Sequence, residues 1–154
     1  MEPYDDTSVL AQILPGRWTI RATNIPRWLS GERRDVVFEY RLVRENPLQL
    51  VHEVSFTDPE DVRRTVTGTD RWNGTGFTWR PSGARGVMRR GAWEVAAIRQ
   101  GLVVLRFLPT LSTPHGLDVV VSEGVEADEL RTVFAADPSA FGLTLEEFAS
   151  LTWL

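Results

Sequence analysis

Three residues could do chemistry from one side of a β-sheet: Tyr40, His52 and Asp70. Each falls on the more apolar phase of a strand-like segment. The phases run Val36, Phe38, Tyr40, Leu42, then Leu48, Leu50, His52, Val54, Phe56, then Val66, Gly68, Asp70, Trp72. Side chains two apart along a strand share a face, so all three would point toward a core, where a polar group needs a partner. A phenol, an imidazole and a carboxylate within reach can orient the polar end of a ligand. They can also move a proton on an enclosed substrate, with His52 and Asp70 as the acid/base candidates. The plainer reading is a satisfied core histidine, with Asp70 near a hairpin rim and wet. Two registers of the first two segments stay open. One sets Tyr40 opposite His52 but Glu39 against Glu53, which repel. The other pairs Arg41 with Glu53 and sets Leu42 opposite His52.

Aromatic residues surround this polar set. Of the six tryptophans, Trp72, Trp79 and Trp93 take the inward phase, and Trp28 sits in a short helical turn. With Phe77, Val54 and Leu105 added, the candidate ligand-binding residues are Trp28, Tyr40, His52, Val54, Asp70, Trp72, Phe77, Trp79, Trp93 and Leu105. Aromatic walls suit a flat or unsaturated molecule, or they fill the interior outright. The glycine-rich stretch 80–91 carries Arg80, Arg85, Arg89 and Arg90. These could clamp a carboxylate or phosphate, or form a solvated connection, and the glycines match no phosphate-loop spacing.

Composition closes other routes. There is no cysteine and no lysine, which excludes thiol nucleophiles, zinc–thiolate sites and lysine Schiff bases. The only histidines, His52 and His115, belong to no ligand-spaced cluster, so no metal and no cofactor is expected. No serine nucleophile elbow is present. A net charge of −4 argues against nucleic acid as a partner. No apolar run approaches the ~18 residues of a membrane span. The acidic start, Met1 to Asp6, lacks a signal-peptide pattern and implies a cytoplasmic location.

The elements that must position the site follow from periodicity. The 154 residues suit one domain. Asp6 to Leu14 reads as a helix capped by Thr7 or Ser8 and stopped by Pro15-Gly16. Strands are expected at 16–23, 35–44, 48–57, 63–72, 75–80, 90–98, 102–108 and 117–122, with 131–135 as a possible ninth. Asn24 to Arg34 interrupts the first two, with a helical turn over Ile25 to Leu29 ended by Gly31. Asn73-Gly74 signals a two-residue type I′ hairpin, which would set Asp70 opposite Phe77 and Gly68 opposite Trp79. Trp93, Val95 and Ala97 can face Phe107, Leu105 and Val103, leaving Glu94 and Arg106 as a surface ion pair. Thr144 to Glu147 forms a capping box, and Leu145, Phe148, Ala149 and Trp153 share a helical face that packs on the barrel wall or over one end. A dimer contact is the less favoured use of that face, so a monomer or weak homodimer is expected. Many short strands without intervening helices imply an all-β antiparallel up-and-down meander. Closure into an 8–10-stranded barrel removes its edges.

Gly16-Arg17-Trp18, after a short helix and opening the first strand, resembles the Gly-x-Trp signature of the lipocalins. The helical turn between the first two strands resembles the lid of fatty-acid-binding proteins, so the calycin superfamily covers both. The resemblance implies that Trp18 plugs the closed end of the barrel and that the interior takes a hydrophobic ligand. Arg106 and Arg131 are the candidates for the arginine that covers the plug. Three functions are compatible: binding of a small hydrophobic or amphipathic molecule, a cyclase or isomerase acting on a flexible apolar substrate, or a solid barrel acting through a protein partner.

Overall fold

Period-two alternation is realised as a closed sheet in the computed structural model, which describes residues 2–83, 91–109 and 115–154. The strands are β1 (Gly16–Thr23), β2 (Arg34–Glu45), β3 (Leu48–Thr57), β4 (Arg63–Trp72), β5 (Phe77–Pro81), β6 (Gly91–Arg99), β7 (Leu102–Phe107) and β8 (Gly116–Ser122). Each pairs antiparallel with the next, and β1 pairs with both β8 and β2. That double pairing makes an eight-stranded antiparallel barrel. A short helix α1 (Thr7–Ile13) precedes it, α2 (Pro26–Leu29) follows β1, and α3 (Leu130–Ala136), a 3₁₀ turn (Pro138–Phe141), α4 (Leu145–Ser150) and a two-residue β9 (Thr152–Trp153) complete the chain. Among the described residues, no helix is long and apolar enough to cross a membrane.

α1 is capped by Asp6 rather than by Thr7 or Ser8. Its carboxylate accepts the backbone N–H groups of Ser8 and Val9 at 3.1 and 3.3 Å, two donors that the helix itself leaves unpaired. Leu10 and Leu14 then pack into the inner core beside Trp18.

Of the two β2–β3 registers, the structure takes the one that sets Tyr40 opposite His52 and Glu39 opposite Glu53. Flanking cations offset the like charges. Arg17 reaches Glu39 at 3.1 Å and Arg41 reaches Glu53 at 3.3 Å.

The β4–β5 hairpin departs from expectation by two residues. Trp72 faces Phe77, Asp70 faces Trp79 and Gly68 faces Pro81. A type I′ turn needs positive φ at both central residues, and Asn73 is not among the residues with positive φ. Its side-chain oxygen instead accepts the N–H groups of Thr75 and Gly76, both at 3.1 Å, so the loop spans 73–76. A shift of two keeps every side chain on its expected face. Gly68 is required there: a Cβ would stand 2.3 Å from the Trp79 ring.

In β6–β7, Trp93 faces Phe107 and Val95 faces Leu105 as expected, but a bulge follows, and Ala97 faces Val104 rather than Val103. The bulge turns Ala96 and Ala97 outward into a second core, while Ile98 returns inward. This second core lies on the outer face of β6, β7, β8 and the end of β1, under Phe134, Phe141, Leu143 and Leu151. Segment 131–135 is therefore not a strand. It lies in α3, where Phe134 stacks on Phe141 at 3.9 Å. The capping box at Thr144 forms as expected, but the helix stops at Ser150. Leu145 is 76% exposed, and Trp153 belongs to β9, paired with Ala22. A bulge in β1 between Ile20 and Ala22 accounts for this, because Leu154 N–H meets the freed Arg21 carbonyl at 2.9 Å.

Arg106 and Glu94 are not a surface pair. Arg106 is 11% exposed and lies 3.5 Å from Glu94. It also bonds the Glu147 carboxylate and the Gly142 carbonyl, clamping the C-terminal segment to the wall. Arg106→Ala should destabilise the protein by about 2 kcal/mol, since removing one member of a largely buried network strands the others. Hydrogen exchange should show amides 145–151 opening before those of β7. Unchanged protection of that segment would refute the clamp.

Candidate ligand site in the barrel interior

The inward phases of β2, β3 and β4 converge as the sequence implies. Tyr40, His52 and Asp70 are all buried. Phe77, Trp93 and Leu105 join them in the inner core, with Trp28, Val54, Trp72 and Trp79 packed against it. The whole candidate set thus faces one interior, and Asp70 is buried there rather than wet at a rim. Arg85, Arg89 and Arg90 lie outside the described residues, and Arg80 is exposed at the end of β5.

His52 is boxed by rings. Tyr40 lies 4.2 Å from it centroid to centroid, Trp79 4.9 Å and Phe38 5.4 Å. Its Nδ1 stands 3.0 Å from Asp70 Oδ2, close enough for an ion pair but off the line of an aligned hydrogen bond. Asp70 Oδ1 accepts the Trp93 indole N–H at 2.9 Å. Tyr40 hydroxyl, both His52 nitrogens and Asp70 Oδ2 are buried without a hydrogen-bond partner. Burial, and then the nearby charges of Asp70 and Asp118, push the Tyr40 phenol well above its usual range, so it stays a neutral donor.

Asp118 is the residue that the alternation reading missed. It points inward from β8, fully buried, and the β1 bulge turns Thr23 to meet it. Its Oδ2 accepts the Trp28 indole N–H at 3.2 Å, Thr23 stands opposite it on β1, and Oδ1 has no hydrogen-bond partner among the described residues. Burial raises its pKa to about 7, opposed by Thr23, Trp28 and the charge of Arg27. The signal was a lone carboxylate in Leu117-Asp118-Val119-Val120-Val121, a run apolar enough to be buried on both faces.

Trp28 ties the lid to this carboxylate and packs edge-on against Phe38 at 6.1 Å. The root of the lid is fixed by Asn24, whose side chain accepts the Leu117 N–H at 2.7 Å. Gly116 admits it, since a Cβ there would sit 2.6 Å from Ile25. From Phe38 an inward row continues across Val54 to Val66. Val66 is 39% exposed and Leu29, on the lid, 41%, which marks this end as the open one.

No family model and no curated protein matches the chain. Among solved structures, lobster apocrustacyanin A1 aligns with a TM-score of 0.62 at 11% identity, covering 99% of this chain and 87% of its own. The bovine lipocalin allergen Bos d 2 aligns at 0.61 and 11% identity, covering 93% of each chain. The amine binding protein of Rhodnius prolixus, solved as its tryptamine complex, aligns at 0.63 and 11% identity, covering 99% of this chain and 82% of its own. The fold is that of the lipocalins. In this barrel Trp18 is buried, and its indole donates to the Leu14 carbonyl at 2.9 Å. Neither candidate arginine covers it: Arg106 belongs to the outer clamp and Arg131 is exposed on α3.

The raised Asp118 pKa has a signed consequence. Between about pH 4 and pH 7 the unfolded chain releases the Asp118 proton and the folded chain retains it, so rising pH across this window removes stability. The loss reaches at most about 4 kcal/mol by pH 8. Asp118→Asn should match the unmodified protein in stability near pH 4 and exceed it near pH 8, measured by urea unfolding. A difference that does not vary with pH would contradict the shift.

Proposed function

We propose that this protein binds a small, largely apolar molecule inside its barrel. The supporting observation is three buried polar atoms without a hydrogen-bond partner among the described residues: Tyr40 hydroxyl, His52 Nε2 and Asp118 Oδ1. Buried polar groups are normally satisfied, and leaving one bare costs about 1–3 kcal/mol. Three such atoms among tryptophan and phenylalanine side chains fit an occupant with a flat apolar body and a polar end. Eight strands enclose room for one small ligand at most. A structural neighbour solved as a tryptamine complex supports small-molecule binding in this fold.

The test is mass spectrometry of the purified protein under native conditions, then after denaturation and organic extraction, together with titration by Nile red. A bound mass that leaves on denaturation, or a blue-shifted dye signal, is the expected result. Absence of both would refute interior binding. Trp28→Ala should raise ligand exit rates by about tenfold, since changes at an interface act mainly on dissociation, with a smaller effect on melting temperature.

A second reading is favoured by the 3.0 Å approach of His52 Nδ1 to Asp70 Oδ2 with Nε2 unpartnered. Asp70 would hold the imidazole while Nε2 moves a proton on an enclosed, flexible apolar substrate, as in an isomerase or cyclase. His52→Gln separates the two. A binder keeps affinity for the extracted molecule, whereas an enzyme binds it and no longer converts it.

A further inference from the structure

The charge of the interior is one-sided, and this names a ligand class for the binding proposed above. Among the described residues, the buried polar or charged side chains are Thr23, His52, Asp70 and Asp118, and no arginine is buried. Two carboxylates therefore face the interior with a single imidazole to balance them. His52 stands against Asp70 at 3.0 Å, which leaves Asp118 without a buried counterpart. Two half-buried arginines flank Trp28 at the lid, with the Arg27 and Arg33 guanidiniums 5.8 and 5.7 Å from the centre of its ring, and the charge of Arg27 acts on Asp118.

Each ligand class can be set against that inventory. A carboxylate or phosphate would enter beside two carboxylates and meet no buried arginine, a costly arrangement. A purely apolar molecule would leave Asp118 Oδ1 bare. A protonated amine supplies both the missing donor and the missing charge, in a bond stronger than a neutral one. The wall agrees, because faces of Trp28, Phe38, Tyr40 and Trp93 attract cations. Asp118 Oδ2 already holds the Trp28 indole, so an amine on Oδ1 leaves the lid latched.

We infer that the ligand carries a protonated amine, seated on Asp118 Oδ1 beneath Trp28, with its flat apolar body among Phe38, Tyr40 and Trp93. Anionic amphiphiles, fatty acids included, are rejected by the same charge.

Calorimetric titration at pH 8 with 2-phenylethylamine, 2-phenylethanol and phenylacetate tests this, because the three share a ring and a short tether. In the unmodified protein the amine should bind about tenfold tighter than the alcohol, with the acid weakest. Asp118→Asn should lower amine affinity by about tenfold and leave alcohol affinity within about twofold. The ranking in the unmodified protein does not depend on how the variant folds. Alcohol or acid binding as tightly as the amine overturns the inference. Nile red uptake without an amine preference also overturns it, while interior binding stands. Failure of all three compounds and of Nile red overturns both.

Discussion

Everything inside this protein depends on one strand having two partners. β1 gives one edge to β8 and the other first to β2, over Gly16–Thr19, and then to β9, over Ala22–Thr23. Without that double pairing the sheet would have a free edge on β1 and on β2, and its two faces would both be surfaces. With it, one face becomes an interior. In that interior Asp118 acquires chemistry it would lack in solvent, because burial disfavours its charged form. The bulge in β1 belongs to the same device. It ends pairing with β2, turns Thr23 toward Asp118 and frees a carbonyl for the chain terminus.

The fold was legible in the sequence because its signals were local and redundant. Alternating phases placed Tyr40, His52 and Asp70 on one side, and a hairpin slip of two residues left those phases intact. The N-terminal cap, the C-terminal end of α4 and the Ala97 pairing were not legible. Asp6, Thr7 and Ser8 are all competent caps. The end of α4 is set by β1, a strand more than a hundred residues away. A bulge leaves no mark in alternation, which is the only measure of strand phase that a sequence offers.

The site was half legible. A reading built on one polar and one apolar face finds polar residues at odds with their own phase, and so it found His52 and Asp70. It passes over strands buried on both sides, where every residue reads as apolar and phase carries no information. Asp118 sits in such a strand. The same blindness turned Arg106 into a surface ion-pair partner, when the C-terminal segment lies over it and makes it a clamp.

That segment divides the barrel into unequal halves. From β6 through β8 the wall is two layers deep, with side chains packed against it from both sides. From β2 through β5 it is a single sheet with exposed arginines and half-buried threonines outside, and among the described residues β5 pairs with β6 over Phe77–Trp79. A molecule entering or leaving such an interior would have to strain one half or the other, and the thin half has packing on one side only. Asp118 and the lid root stand on the two-layered half, while His52 and Asp70 stand on the thin one. Any opening of the thin half would therefore move the imidazole relative to Asp118, so the spacing of the polar groups would depend on which half yields.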